Sequence, residues 1–98
     1  LPDKRRPTAI FASNNRNTVG ALHALAGHEH PVALVGFDDF ELADLLSPPV
    51  TVIAHDASAL GKAAADLLFA RLDGDGSPPR RVVLPVRLVA RGSGEVPA

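Results

Sequence analysis

Apolar residues in this chain fall into short unbroken runs separated by amphipathic stretches. The first run, residues 8–12 (TAIFA), follows Pro7 and has no polar alternation, the signature of a strand covered on both faces of a parallel sheet. Residues 32–35 and 50–54 repeat that type. Between the first two, Val19, Leu22, Leu25 and Ala26 recur at helical spacing, and Gly27 offers a left-handed stop, which predicts a helix of about three turns.

A second helix is predicted where Leu60, Ala64, Leu67, Leu68 and Leu72 follow a 3.6-residue period, with Asp56 or Ser58 as N-cap and Gly74 beyond its end. The DGDGSPPR segment then makes a turn, and residues 81–89 resume a strand that Pro85, lacking a donor, splits in two. Between the second and third strands, GFDDFELADLLSPP carries two acidic residues, a short helical turn over residues 41–46, and a diproline that ends it. Strands alternating with helices predict an α/β fold of parallel-sheet βαβ units.

In such sheets ligands bind beyond the carboxyl ends of the strands, where helix N-termini and loop donors converge. The polar residues fall there. The first strand runs into Ser13, Asn14 and Asn15, the second into Asp38 and Asp39, the third into His55 and Asp56. Each has a plain alternative: Asn14 or Asn15 caps the first helix, Asp38 or Asp39 the short turn, Asp56 the second helix. Together, amide and carboxylate groups at consecutive strand ends are equipment for gripping the hydroxyls of a sugar or polyol.

Composition narrows the classes. The 98 residues are 46% hydrophobic, and four Phe are the only aromatics, so one domain's core must be built from Leu, Val, Ile and Ala. Ten Lys and Arg against eleven Asp and Glu leave a net charge of -1, no cation surplus for nucleic acid or an anionic leaflet. No run reaches the ~20 apolar residues of a bilayer span, and LPDKRRPT has neither a leader's apolar region nor an acylation motif. The expectation is a cytoplasmic chain without membrane contact. With no Cys, disulfides, thiolate metal sites and cysteine nucleophiles are excluded. With no Met, Leu1 is not an unprocessed start, and the chain is expected to be a piece of a longer protein.

The runs PTAIFASNNRNTVGALHAL, VALVGFDDFELADLLSPPVTVIAHDASALGKAAADLLFARLDG and RRVVLPVRLVARGS resemble the carboxy-terminal part of the lactose/galactose repressor family of bacterial transcription regulators. The resemblance covers nearly the whole chain. Its most specific strings are VGFDD…PP…T, LG in the next helix, and LP-x-x-L-V-x-R-x-S at the end. It implies part of a periplasmic-binding-protein-like type I (Rossmann-like) effector domain, residues 1–98 being the carboxy-terminal portion of its effector-binding and dimerisation domain. The helix-turn-helix lies outside this chain, so DNA is engaged only through that missing head. By matching positions, Asn14 and Asp38 bind effector hydroxyls and His55 lines the pocket. The family's Asp after the Asn is Asn15 here, and Ala57 stands where many members have a bulkier residue, which implies a roomier pocket.

The family also pairs its subunits through the helix after the first strand and the segment after GFDD. Here that implies a homodimer surface of Val19, His23, Leu42, Leu45 and Leu46, the alternative being that the leucines close the domain's own core. An exposed apolar patch of that kind calls for a partner. The chain is expected to cross between two lobes after the third strand and again near Pro85, completing neither, so that the isolated fragment dimerises, exchanges elements or rearranges its second helix.

Two rival readings remain at this stage. A periplasmic sugar-binding receptor of a transport system would share fold and site. An enzyme could be drawn from His55, Asp38 and Ser13, Ser47 or Ser58, but there is no G-x-S-x-G elbow and no obvious oxyanion donor pair, and the expectation is no catalysis. His23, His28, Glu29 and His30 raise a metal question, but H-E-x-x-H is missing; the glycines form no phosphate-binding motif. No cofactor and no metal are expected.

Overall fold

The computed structural model describes residues 6–27 and 31–98. The chain divides into two compact units, Leu1–Ala54 with Arg87–Ala98, and His55–Val86. One division falls after residue 54 and the other after residue 86.

The first unit is built on a sheet of β1 (Ala9–Ala12), β2 (Ala33–Phe37), β3 (Thr51–His55) and β4 (Val86–Val89), in that spatial order. β1 and β2 are parallel with Ala12 opposite Gly36, and β2 and β3 are parallel with Phe37 opposite Ile53. The fold is α/β with parallel βαβ units, as expected. Leu34, Ala43, Val50, Val52 and Ala54 form the core, with Ile10, Ala21, Leu22, Phe40 and Val89 packed on it. In β2 and β3 adjacent residues are buried in succession, Ala33 with Leu34 and Thr51 with Val52, so both faces of these two strands are covered, whereas β1 is largely exposed.

Helix α1 (Asn15–Leu25) starts because the Asn14 side chain accepts from the Asn17 backbone N–H at 2.8 Å, and stops before Gly27, whose φ is +77°. Its first turn lies hard against β2. Thr18 is completely buried, its hydroxyl donates to the Asn14 carbonyl at 3.0 Å, and a Cβ on Gly36 would overlap Thr18 Oγ1. Glycine at 36 is therefore required by close approach of helix and strand.

The end of the chain is stitched onto β2 and β3. The buried Ser93 hydroxyl donates to the Leu34 carbonyl at 2.6 Å and accepts from the Thr51 N–H at 2.8 Å. Thr51 Oγ1 accepts from the backbone of Arg91 and Gly94, both at 3.1 Å, and donates to Glu95 at 2.9 Å. Each hydroxyl thus uses its donor and acceptor sites inside the protein, as buried polar groups must.

Helix α2 (Ala57–Leu72) forms the second unit, with Asp56 accepting from the Ala59 N–H at 3.0 Å and Gly74 beyond its end at φ +97°. No residue of α2 is buried; Leu60, Leu68, Phe69 and Leu72 stand exposed.

Several expectations are corrected. The strand drawn over residues 81–89 exists only as Val86–Val89, and residues 81–84 are irregular. Apolar composition alone makes no strand without a ladder, and Pro85 supplies no donor to extend one. The helical turn drawn over residues 41–46 is a 3₁₀ turn, Ala43–Leu45. Leu42, at φ +75°, sits in the left-handed region and a right-handed helix cannot run through it. Neither Asp38 nor Asp39 caps that turn, because Leu42 holds the N-cap position with no side-chain bond. Of the residues behind the metal question, His28, Glu29 and His30 lie outside the described residues.

Candidate functional site

The pairing of β1 with β2 ends at Ala12 and Gly36, and Asn14 and Asp38 each lie two residues beyond that pair. Parallel neighbours lie about 5 Å apart, so the two residues share one rim of the first unit. The intervening Asn15 confirms the proximity: its Nδ2 donates to Asp38 Oδ2 at 3.3 Å. Ser13 joins the same edge, accepting from Asn17 Nδ2 at 3.3 Å.

Capping and binding do not exclude each other at Asn14. The cap occupies Oδ1, while Nδ2 makes no hydrogen bond among the described residues and the side chain is exposed. A neutral amide at Asn15 also changes the rim. A carboxylate there would sit against Asp38 and repel it, whereas the amide donates to it.

Asp38 itself is held at φ +83°, a conformation that L residues rarely adopt and that Asp tolerates better than most. Its N–H donates to the Ile53 carbonyl at 2.8 Å, which ties the end of β2 to β3. The next residue faces a different partner. Both carboxylate oxygens of Asp39 accept from Arg91, at 2.9 and 2.8 Å, and Oδ1 also accepts from the Phe40 N–H at 2.9 Å. The Arg91 hydrogen bond is the chief reason that the Asp39 carboxyl lies below its ordinary value of 3.8, against a smaller opposing effect of burial. The same pairing raises Arg91. The family pattern assigns a ligand role to Asp38 and none to Asp39, and nothing in the sequence pairs Asp39 with Arg91 or Thr51 with Ser93. The R-x-S string at the end of the chain was the available signal.

His55 is the last residue of β3 and opens the second unit, beside Asp56, which caps α2. His55 is half-buried.

The remaining residues singled out from the sequence lie at a different place in the first unit. Val19, His23, Leu42 and Leu46 line one groove of about 660 Å³, together with Leu22, Leu25, Phe40, Pro48 and Val96. Leu45 is not among the lining residues but is 73% exposed, and Leu42 is 58% exposed. Within the described residues, Leu42, Leu45 and Leu46 are therefore exposed rather than packed into the first unit's core. The left-handed backbone at Leu42 turns the segment outward after Phe40, while Ala43 takes the buried position.

Among the described residues, no helix is long and apolar enough to cross a membrane, and no group of His, Asp and Glu stands in metal-holding geometry.

The model of the periplasmic binding protein-like domain matches residues 1–94. The ribose operon repressor of Escherichia coli (strain K12) is 36% identical over 92 residues, covering 90% of this chain and 28% of the repressor. The chain thus spans less than a third of that relative's length. Among solved structures, a complex of the transcriptional regulator CelR with cellobiose superposes with a TM-score of 0.75 at 33% identity, over 89% of this chain and 28% of the other. The lac repressor dimer bound to operator and an anti-inducer gives a TM-score of 0.74 at 30% identity, over 90% and 28%.

Proposed function

Since the chain belongs to the periplasmic binding protein-like domain family, in the form carried by regulators of the lactose/galactose-repressor type, we propose that it is the effector-sensing part of a bacterial transcription regulator. Its ligand is a sugar or another small polyol. The observation that carries this reading is the rim shared by Asn14 and Asp38, tied by the Asn15–Asp38 bond. An exposed amide donor and a carboxylate acceptor at neighbouring strand ends match the alternating donor and acceptor character of vicinal hydroxyls. His55, by its place directly after β3, is assigned a further contact on the strength of the family pattern alone.

The mechanism is differential binding. A ligand held more tightly in one arrangement of the regulator shifts the population toward it, and a ligand held equally in both switches nothing. DNA contact belongs to a helix-turn-helix outside this chain, consistent with the net charge of -1. The protein works as a homodimer through the groove of Val19, His23, Leu42 and Leu46, with Leu45 beside it, in the cytoplasm and without catalysis. A periplasmic receptor shares the fold, but relatives named as repressors and regulators favour the regulator.

The test is a thermal-shift screen of the full-length protein against a panel of mono- and disaccharides, repeated with Asp38→Asn, which keeps side-chain shape and tolerance of positive φ. A saccharide that stabilises the wild type and binds the variant at least about tenfold more weakly supports the reading. Unchanged affinity in the variant rejects the role of Asp38.

A further inference from the structure

We infer that Arg91 and Asp39 form a positioning pair that holds Asp38 in its ligand-facing conformation, an inference that rests on the proposed role of Asp38. A non-glycine residue at φ +83° is held against its local backbone preference. Something must fix the backbone on both sides of it. On the preceding side, the Asp38 N–H is bound to the Ile53 carbonyl at 2.8 Å. On the following side, the Asp39 carboxylate is gripped through both oxygens by the Arg91 guanidinium.

Arg91 can serve as an anchor because it is itself fixed to the sheet. Its Nη1 donates to the Val50 carbonyl at 3.1 Å, and its backbone N–H donates to Thr51 Oγ1 at 3.1 Å. Val50 is completely buried and Thr51 is in register with Val35 of β2. Position therefore passes from the buried start of β3, through the planar guanidinium, to Asp39, and so to the peptide that follows Asp38. Only a planar two-pronged donor reaches both carboxylate oxygens and a carbonyl at once, so lysine is no equivalent.

The experiment uses the full-length regulator and reads amide hydrogen exchange at Asp38 against Val35 and Gly36 within β2, in wild type, Arg91→Lys and Arg91→Met. The expected result is loss of protection at Asp38 by about tenfold or more in both variants, with the β2 amides changed by less than about threefold. A uniform loss across β2 would show Arg91 to be a general stabiliser and overturn the inference, as would unchanged protection at Asp38. The charge-exchanged pair Asp39→Arg with Arg91→Asp should restore part of the protection lost in Arg91→Met; no recovery also counts against the pair. Calorimetry with D-ribose and with cellobiose as probes separates this from the functional reading. If neither sugar binds the wild type, the probes leave the ligand class unsupported, while exchange at Asp38 still decides the positioning claim.

Discussion

The guanidinium of Arg91 holds both carboxylate oxygens of Asp39 at 2.9 and 2.8 Å, joining residues 52 apart in sequence. The contact ties the acidic pair after β2 to the last turn of the chain. Asp39 is thereby neutralised within the fold, while its neighbour Asp38 takes the Asn15 amide at the rim.

That pairing predicts a signed pH dependence. The Asp39 carboxyl titrates below its ordinary value of 3.8 in the folded chain, so the contribution is complete above that value and is lost as pH falls through the lower folded one. With the Asp39 side chain 42% exposed, solvent screening limits the contribution to about 1 kcal/mol. Asp39→Asn should therefore be less stable than wild type by about that amount near pH 6, and the difference should shrink below about pH 4. Urea denaturation of both proteins at the two pH values measures it, and a gap that widens in acid would contradict the assignment.

Removing the Ser93 hydroxyl strands its partners. Ser93→Ala leaves the Thr51 N–H and one acceptor site of the Leu34 carbonyl without it, and Thr51 is 2% exposed. A buried unsatisfied group costs about 1–3 kcal/mol. Denaturant midpoints should show a loss in that range, with the m-value unchanged.

Gly36→Ala forces a methyl group into Thr18, and overpacking of this kind costs about 1–3 kcal/mol. Thr18→Ala removes the two nearest of the atoms that would be struck, Oγ1 and Cγ2. The double variant should therefore be more stable than the sum of the single losses implies, a coupling readable from a double-mutant cycle of thermal or chemical denaturation.

Asp38→Gly should separate stability from recognition. Glycine adopts φ +83° freely, so the domain gains about 0.5–1 kcal/mol while the rim loses its carboxylate. Higher thermal stability together with lost saccharide response is the expected outcome. A less stable variant would show that contacts of the Asp38 side chain outweigh the backbone preference.

Leu45→Asp should weaken self-association with little effect on monomer stability, because the side chain is 73% exposed and leaves no cavity behind. Analytical ultracentrifugation of the full-length protein across concentrations tests this. A wild-type profile would remove Leu45 from the proposed interface.

The strands were legible in the sequence because unbroken apolar runs bounded by turn residues mark strands of a parallel sheet. VALV and VTVIA are largely covered, whereas in TAIFA Phe11 is 60% exposed and double coverage is not seen in this chain. The helices were legible through period and caps, with Asn14 and Asp56 where capping chemistry expects them. The alignment of Asn14 with Asp38 also followed, since both lie just past the ends of buried runs and register brings such ends together. Residues 81–84 misled because apolar composition is necessary for a strand and not sufficient; the ladder must come from a neighbour.

Local pattern thus determined where strands and helices lie and which edge of the sheet is polar, because burial and capping act on residues close in sequence. Tertiary structure alone showed what Asp39 does, by supplying Arg91 to it from 52 residues away. It also turned Leu42 and Leu45 outward and gave Ala43 the buried place, and it made Thr51 and Ser93 partners across 42 residues. Hydrogen bonds and close packing between distant segments depend on how the chain closes on itself, and composition and periodicity carry no record of that closure.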